Sequence, residues 1–314
     1  MTALLENPTP SQGRTARELA RRLSDQAVVR RDEPLARRTT LRVGGPADVY
    51  VEPASDDDLA EVLVFCAGHS VPFFVLGRGS NLLVRDGGFR GVVICLSHES
   101  FRRIEVNDSH LRCGAGARLK DVALAARRHS LAGLEFLEGI PGTMGGALRM
   151  NAGAMGGAMF DLVRSVRIMD FAGVAREWTP DELAVEYRCC ATLQSHIALA
   201  ATLKGRADSP ESVAQRMIAF SRKRWASQPA APSAGCMFKN PAAIPAGRLI
   251  DELGLKGLRV GGAMVSAEHG NFIVNDGTAT ARDVLRLIEL LQQRARAERG
   301  IELQTEVEII GDES

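Results

Sequence analysis

Apolar positions along the chain follow two patterns, one with helical spacing and one in short continuous runs. Helical spacing follows the acidic start at Asp56 and returns after Ser209, where serine can cap a helix and the following proline fits its first turn. A further helix is predicted to begin at the capping box Thr280–Asp283 and to end at Gly300. Shorter helices are predicted over residues 15–23 and in LKDVALAARRHS.

The continuous apolar runs predict buried strands separated by glycine, proline and polar residues. Strands mixed with well-separated helices indicate an α+β or α/β protein. A chain of 314 residues is too long for one ordinary core, and we predict a domain boundary between 207 and 208. The clearest predicted strands are ADVYVEP, FFVLG, GVVICL, VRSVRIMDFAG, HIALAATLKG and the terminal VEIIG.

Charge and composition narrow the class of partner. Lys and Arg number 39 against 38 Asp and Glu, so a polyanion-binding surface and a nucleic-acid partner are not expected. No apolar run approaches the roughly 20 residues that span a bilayer, and the first residues lack a signal-peptide pattern, so we expect no membrane insertion and a cytoplasmic protein. The six cysteines lack metal-ligand spacing, so we expect no metal site and mostly buried thiols.

A first glycine loop lies in VLGRGSNLLVRDGGFRGVVI, residues 75–94. It does not fit the dinucleotide fingerprint GxGxxG, because residue 82 is leucine and the apolar run LLV follows where a helix should start. Glycines still let successive backbone N–H groups surround a phosphate, and Ser80 and Asn81 add polar side chains. A tight turn capped by Asn81 is the alternative, and the loop alone does not choose between them.

A second glycine loop, EGIPGTMGGALRMNAGAMGG, covers residues 138–157 and has seven glycines with almost no charge. So many glycines predict neither a stable helix nor a central strand. The segment is also too apolar for a disordered linker. Bare backbone of this kind suits a flat ligand with phosphates, such as a flavin dinucleotide, and a purely structural network of glycine turns is the alternative.

These loops and several later motifs together resemble the UDP-N-acetylenolpyruvoylglucosamine reductase family. The resemblance extends over nearly the whole chain from about Arg38, and the order and spacing of the motifs make coincidence improbable. No additional tyrosine-bearing substrate loop is found, which indicates the form of the family that lacks it. The motifs are TTLRVGGPADVYVEP, LGRGSNLLVRDGGFRGVVI, GLEFLEGIPGTMGGALRMNAGAMGG, Tyr187-Arg188, PSAGCMFKNP, LIDELGLKG, EHGNFIVN and TEVEIIG.

The resemblance implies an α+β fold. An FAD-binding domain of the PCMH/vanillyl-alcohol-oxidase type, 1–207, would have two lobes that divide near residue 97. A C-terminal α+β substrate domain would cover 208–314, with its last strand, 307–311, returning to the first lobe. The implied reaction uses NADPH to reduce noncovalently bound FAD, which then reduces the enolpyruvyl ether of the UDP-sugar to UDP-N-acetylmuramate for peptidoglycan. No obligate protein partner is inferred.

Three catalytic residues are implied by the same motifs. Arg188 would stabilise the enolate-like charge that hydride addition creates, because a guanidinium is a fixed cationic fork of donors. Glu306 would help polarise the enolpyruvyl group, and Glu308, which shares its strand face, is distinguished from it only by the family motif. Cys236 stands where the family often has serine, and its thiol, with an ordinary pKa near 8.5, would protonate the carbanion. A merely buried cysteine is the alternative.

The remaining predicted contacts lie in the same motifs, and among the residues after Phe238 it is Asn240 that matches a family substrate residue. Substrate contacts are expected from Tyr187, Lys239, Asn240 and His269. Two other functions compete with the reductase: an FAD-dependent oxidase on the same fold, for which no histidine in the glycine loops offers covalent attachment, and a non-catalytic flavin module. The predicted FAD contacts are Gly77, Arg78, Gly79, Ser80, Asn81, Leu82, Gly139, Ile140, Pro141, Gly142, Thr143, Gly145, Gly146, Asn151 and Gly153.

Overall fold

The computed structural model describes residues 12–313, which contain both helices and strands along their whole length. The helices are α1 Gln12–Arg22, α2 Asp56–Gly68, α3 Leu119–Arg128, α4 Met144–Arg149, α5 Pro210–Trp225, α6 Ala246–Glu252 and α7 Ala281–Arg299. The strands are β1 Val28–Pro34, β2 Pro46–Glu52, β3 Phe73–Leu76, β4 Leu82–Val84, β5 Phe89–Cys95, β6 Ile104–Asn107, β7 His110–Gly114, β8 Leu131–Ala132, β9 Gly153–Ala154, β10 Gly157–Ala158, β11 Val163–Asp170, β12 Ala175–Trp178, β13 Val185–Glu186, β14 Cys189–Cys190, β15 His196–Lys204, β16 Arg206–Ala207, β17 Ser233–Cys236, β18 Arg259–Val260, β19 Ala263–Val265, β20 Phe272–Asn275 and β21 Glu308–Ile310.

The described residues divide into two compact units that interleave along the sequence. The first unit covers residues 12–33, 48–77 and 91–220, and the second covers 34–47, 78–90 and 221–313. The α+β class is therefore confirmed within each unit, since each contains both helices and sheets. The boundary between 207 and 208 stays a prediction.

Two sheets form most of the first unit. One has the order β1-β2-β5-β3, in which β3 and β5 pair in parallel, and the other has the order β12-β11-β15-β7-β6 with antiparallel pairs. Buried residues such as Phe65, Ile94 and Leu119 belong to one core that lies against these sheets. The predicted strands ADVYVEP, FFVLG, GVVICL, VRSVRIMDFAG and HIALAATLKG all lie here.

The second unit has a four-stranded sheet, β17-β20-β19-β18, and a parallel pair of β4 with β21. In that pair Leu82 lies opposite Glu308 and Val84 opposite Ile310. Strand β21 thus pairs side by side with the short strand that directly follows the first glycine loop. A separate core, which includes Phe238, Ile250 and Leu287, holds this unit together.

Helix ends follow the predicted capping chemistry. The Oγ of Ser55 accepts the N–H of Asp58 at 3.1 Å at the start of α2, where three aspartates also favour the positive end of the helix dipole. At α7 the predicted capping box is confirmed, because Thr280 Oγ1 accepts the N–H of Asp283 at 3.1 Å and Asp283 accepts the N–H of Thr280 at 3.0 Å. The helix ends before Gly300, as predicted.

Replacing Thr280 with alanine should lower the free energy of unfolding by about 1 kcal/mol, the usual effect of losing a helix N-cap. The carboxylate of Asp86 also accepts the N–H groups of Ala281 and Arg282, so the helix itself should remain. Urea unfolding of parent and variant measures the difference. An unchanged unfolding midpoint would contradict the role given to this cap.

The prediction that the second glycine loop contains no helix is wrong. Helix α4 lies inside it, and acceptors from another part of the chain complete its first turn. The N–H of Met144 donates to the carbonyl of Ala117 at 2.8 Å. The N–H of Gly145 donates to the carbonyl of Ala115, also at 2.8 Å. These tertiary hydrogen bonds satisfy groups that a helix start leaves open, so low glycine propensity does not decide the outcome.

Half of the cysteines are buried, as predicted for small apolar side chains: Cys66, Cys113 and Cys190. Burial raises the pKa of Cys66 and of Cys113 to about 12, which keeps both thiols protonated. Cys95, Cys189 and Cys236 are only half-buried, so burial was overpredicted for them. Within residues 12–313, no helix combines the length and apolar character that a membrane span requires.

Candidate active site

The first glycine loop holds a bare stretch of backbone in the second unit. Gly79 has a φ of 59°, and a Cβ there would lie 2.8 Å from the carbonyl oxygen of Arg38. The side chain is therefore excluded both by conformation and by space. The N–H groups of residues 78 to 81 donate to no protein acceptor among the described residues. Four adjacent donors left open in a glycine turn fit the oxygens of a phosphate.

Asn81 connects this loop to the segment that carries Glu306. Its Nδ2 donates to the carbonyl oxygen of Glu306 at 3.0 Å, and its own carbonyl accepts the N–H of Glu308 at 3.0 Å. The side-chain amide is thus engaged by protein. Asn81 fixes the position of Glu306 relative to the loop donors.

Cys236 ends strand β17, next to an irregularity in its pairing with β20. Gly235 has a φ of 77°, and a Cβ there would have only the carbonyl oxygen of Ser80 within 4 Å, at 3.7 Å. The half-buried Cys236 therefore follows a backbone turn that lies close to the first glycine loop.

Thr40 holds the same two segments together, a contact that the sequence did not predict. Its Oγ1 lies 2.7 Å from the carbonyl oxygen of Ser233 and 3.3 Å from that of Gly79. The only signal was that Thr40 lies in the TTLRVGG motif. Its partners are too distant in sequence for spacing to reveal them.

Glu306 and Cys236 lie on neighbouring backbone. The N–H of Glu306 donates at 2.8 Å to the carbonyl of Met237, the residue after Cys236. Phe238 and Thr305 then form an antiparallel bridge. The structure thus brings two of the three predicted catalytic residues, Cys236 and Glu306, close to the first glycine loop, all inside the second unit.

The predicted substrate residues of this unit differ in surroundings. Lys239 is exposed. Asn240 uses its Oδ1 to accept the N–H of Ala246, the first residue of α6, at 3.0 Å. His269 is half-buried, and burial, aided by the charge of Lys256, lowers its pKa, so the ring is neutral near pH 7.

The second glycine loop lies in the first unit with Gly77. A Cβ at Gly77 would come within 2.7 Å of Thr143 Oγ1, so the two predicted FAD residues touch. Thr143 caps α4, its Oγ1 accepting the N–H of Gly146 at 3.5 Å. Around it lie the other predicted residues of this segment, which are half-buried or exposed: Gly139, Ile140, Pro141, Gly142, Gly145, Gly146, Asn151 and Gly153.

Arg188 occupies a strained turn in the first unit. Strands β13 and β14 pair so that Glu186 lies opposite Cys189, which leaves Tyr187 and Arg188 as a two-residue loop. Arg188 has a φ of 57°, a conformation that favours glycine. Its guanidinium lies 5.0 Å from the ring centre of Tyr187 and donates to the carbonyl of Gly153 at 3.2 Å. Strain of this kind accumulates where function fixes the side chain.

Asn151 links the second glycine loop to the same turn. Its Nδ2 donates to the carbonyl oxygen of Glu186 at 3.1 Å, and its Oδ1 accepts the N–H of Phe160 at 3.2 Å. A Cβ at Gly153 would lie 3.1 Å from a guanidinium nitrogen of Arg188. The loop predicted to bind flavin therefore also determines where Arg188 lies.

Replacing Arg188 with glycine should give a more stable protein than replacing it with alanine, by about 1 kcal/mol, because only glycine is unstrained at this φ. Both changes remove the guanidinium, so the alanine variant is the matched control. Urea unfolding measures the two stabilities. Equal unfolding midpoints would show that the turn relaxes when the arginine is gone.

The open donors of the first loop, in the second unit, fit the oxygens of a phosphate, and the second loop, in the first unit, offers bare backbone to a flat ring. No three His, Cys, Asp or Glu side chains within residues 12–313 could share a metal ion. The second unit offers a thiol and a carboxyl as polar groups for chemistry, and the first unit offers a guanidinium. These are groups that move a proton and stabilise a developing negative charge.

Comparison with known proteins identifies the same family as the sequence motifs. Residues 47–177 match the family model described as an FAD binding domain, and residues 228–310 match that described as the C-terminal domain of UDP-N-acetylenolpyruvoylglucosamine reductase. These matches agree with the predicted fold class. A reductase of that name from Clostridioides difficile is 41% identical over 284 residues, 90% of this chain and 93% of the relative. Another from Geobacter sulfurreducens is 45% identical over 285 residues, 90% of this chain and 94% of the relative.

A solved structure supports the match. The crystal structure of UDP-N-acetylenolpyruvylglucosamine reductase from Thermus caldophilus is 40% identical, covers 91% of this chain and 100% of its own, and has a TM-score of 0.80. These relatives match the chain over almost their full length. The chain therefore belongs to the UDP-N-acetylenolpyruvoylglucosamine reductase family.

Proposed function

We propose that this chain uses NADPH to reduce UDP-N-acetylenolpyruvoylglucosamine to UDP-N-acetylmuramate, a step of peptidoglycan precursor synthesis. The observation that carries the proposal is similarity to reductases of that name at 41% and 45% identity over 90% of the chain. Noncovalent FAD, when bound, would supply hydride transfer from NADPH to the vinyl carbon of the substrate. The open backbone donors of the first glycine loop support a cofactor with phosphates.

Three side chains carry the rest of the chemistry in this proposal. Hydride addition at the terminal carbon places negative charge on the neighbouring carbon and its carboxylate. The guanidinium of Arg188 stabilises that charge, with its strained turn fixing the direction of the side chain. Cys236 then gives its Sγ proton to the carbanion, which completes reduction of the double bond. Glu306 helps to polarise the enolpyruvyl group, and its fixed backbone supports a defined position.

Substrate contacts are proposed for Tyr187, Lys239, Asn240 and His269. Tyr187 is 62% exposed and stacks on the arginine beside it, so its ring is available to a ligand. The Nδ1 of His269 accepts the N–H of Asn271 at 3.1 Å, which leaves the proton of the neutral ring on Nε2 as a donor. FAD contacts are proposed for the two glycine loops, at Gly77, Arg78, Gly79, Ser80, Asn81, Leu82, Gly139, Ile140, Pro141, Gly142, Thr143, Gly145, Gly146, Asn151 and Gly153.

The domains are proposed to be residues 1–207 for FAD and 208–314 for substrate, with strand 307–311 returning to the first. The protein is proposed to act in the cytoplasm, because NADPH and nucleotide sugars are metabolites of that compartment. No obligate protein partner is part of the proposal.

The proposal is tested with purified protein loaded with FAD. Its flavin absorbance should bleach anaerobically with NADPH and return when UDP-N-acetylenolpyruvoylglucosamine is added, with UDP-N-acetylmuramate as the product. Acid precipitation should release the flavin into solution, since it is not covalently bound. A preparation that takes up no FAD, or whose reduced flavin does not react with that sugar, would overturn the proposal.

A further inference from the structure

Asn271 is a buried residue whose side-chain amide binds backbone close to Cys236. The side chain belongs to a residue that is 2% exposed and directly precedes β20. Its Oδ1 accepts the N–H of Phe238 at 2.9 Å, and its Nδ2 donates to the carbonyl of Phe238 at 2.8 Å. Its main-chain carbonyl accepts the N–H of Met237 at 2.9 Å. One residue thus holds the backbone of two consecutive residues, Met237 and Phe238.

Met237 and Phe238 directly follow Cys236. On the other side of Cys236, Gly235 turns the chain with its φ of 77°. The backbone is therefore determined on both sides of the thiol. A shift of Met237 or Phe238 would reorient the Cα–Cβ bond of Cys236 and move its sulfur.

The same two residues also locate Glu306. The carbonyl of Met237 accepts the N–H of Glu306 at 2.8 Å, and Phe238 bridges to Thr305. Since Asn271 fixes both Met237 and Phe238, it influences the position of a carboxyl and a thiol together. Phe238 itself is 1% exposed, so its peptide has no water to replace a lost partner.

We propose that Asn271 is a positioning residue that aligns Cys236 and Glu306 for the protonation step. The inference rests on the proposed function, because it assigns those two residues to that step. Asn271 touches neither cofactor nor reacting atoms in this proposal. It acts through the peptide that follows the proton donor.

The side chain of Asn271 both accepts from and donates to the backbone of Phe238, and the variant Asn271→Asp changes the donor. An ionised aspartate would place a negative oxygen against the carbonyl of Phe238, where the parent has an amide donor. A protonated aspartate can still donate from one oxygen and accept at the other, as the amide does. Burial and the nearby carbonyl raise the pKa of such a carboxyl. The variant should therefore align the site at low pH and misalign it at high pH.

The experiment measures the two half-reactions of the FAD-loaded enzyme separately by stopped flow, between about pH 6 and about pH 9. Flavin reduction by NADPH should stay within about twofold of the parent throughout, because Cys236 and Glu306, which Asn271 positions, take no part in that step. Reoxidation by UDP-N-acetylenolpyruvoylglucosamine should be near parental at the low end and at least about tenfold slower at the high end. His269, Lys239, Cys236 and Glu306 also titrate or carry charge nearby, so each rate is divided by the parent rate at the same pH.

Asn275 supplies a matched control from the other end of β20. It is 4% exposed, its Nδ2 donates to the carbonyl of Leu41 at 3.0 Å, and its Oδ1 accepts the N–H groups of Gly277 and Ala279. Asn275→Asp introduces the same charge at the far end of β20 without touching Met237 or Phe238. Its two half-reactions should keep the parental ratio at each pH.

Three outcomes would overturn the proposal: Asn271→Asp reoxidises at the parental rate at every pH, both of its half-reactions fall together, or Asn275→Asp gives the same selective loss. Thermal unfolding of each variant identifies a general loss of structure. Failure of the proposed function is a separate result, because the parent itself would then not be reoxidised by the sugar.

Discussion

Replacing Cys236 with alanine is expected to slow product formation severely while leaving reduction of the flavin by NADPH intact. In the proposed mechanism, only the protonation of the carbanion needs the thiol. Loss of a general acid typically slows its step by about 10²–10⁴-fold, so turnover should fall by that factor. Single-turnover measurements of each half-reaction separate the affected step from the unaffected one.

Cys236→Ser is the conservative comparison and should retain measurable turnover. A hydroxyl has the size and the proton to take the same place, although an alcohol is a weaker acid than a thiol. The pair of variants separates the effect of losing the donor proton from the effect of changing the size of the side chain. Product formation by the alanine variant at the parental rate would show that Cys236 is not the donor.

Replacing Arg188 with lysine is expected to slow the same sugar-dependent half-reaction by about 10²–10³-fold, the usual effect of losing a fixed donor to a developing negative charge. An ammonium keeps the charge but lacks the planar fork, and it cannot reproduce the hydrogen bond to Gly153 in the same direction. Flavin reduction should be unchanged. The measurement is reoxidation of the reduced enzyme by UDP-N-acetylenolpyruvoylglucosamine.

Arg22→Lys is the matched control, since the Arg22 guanidinium also lies over an aromatic ring, 5.3 Å from the ring centre of Phe65. That change should leave both half-reactions at the parental rate. If Arg188→Lys were reoxidised as fast as Arg22→Lys, any cation near the substrate would suffice. The strained turn would then need another explanation.

Local sequence signals predicted those parts of the fold whose causes are local. The capping box at Thr280 and Asp283 is an example, because the residues that form it are three positions apart. The apolar runs likewise predicted the main strands. The helix α4 was missed because its first N–H groups are satisfied by Ala115 and Ala117, which no pattern within the glycine loop reveals.

The site shows the same limit. Family motifs identified Cys236 and Glu306, but not the residues that hold them in place. Thr40 acts on Ser233 across 193 positions, and Asn271 acts on Phe238 across 33. Such pairs depend on tertiary packing, so a buried asparagine in a strand motif gives no sign of which peptide it will bind.

The pairing of β4 with β21 has a consequence for synthesis of the protein. Leu82 emerges from the ribosome long before Glu308, its partner in the parallel pair. The nascent chain therefore carries the first glycine loop with its following strand unpaired until residues 308–310 have been synthesised. Closing so long a loop is entropically costly and slow. FAD should consequently bind only after Glu308–Ile310 have emerged and paired, and a stop codon just before Glu308 should yield a product that does not retain FAD.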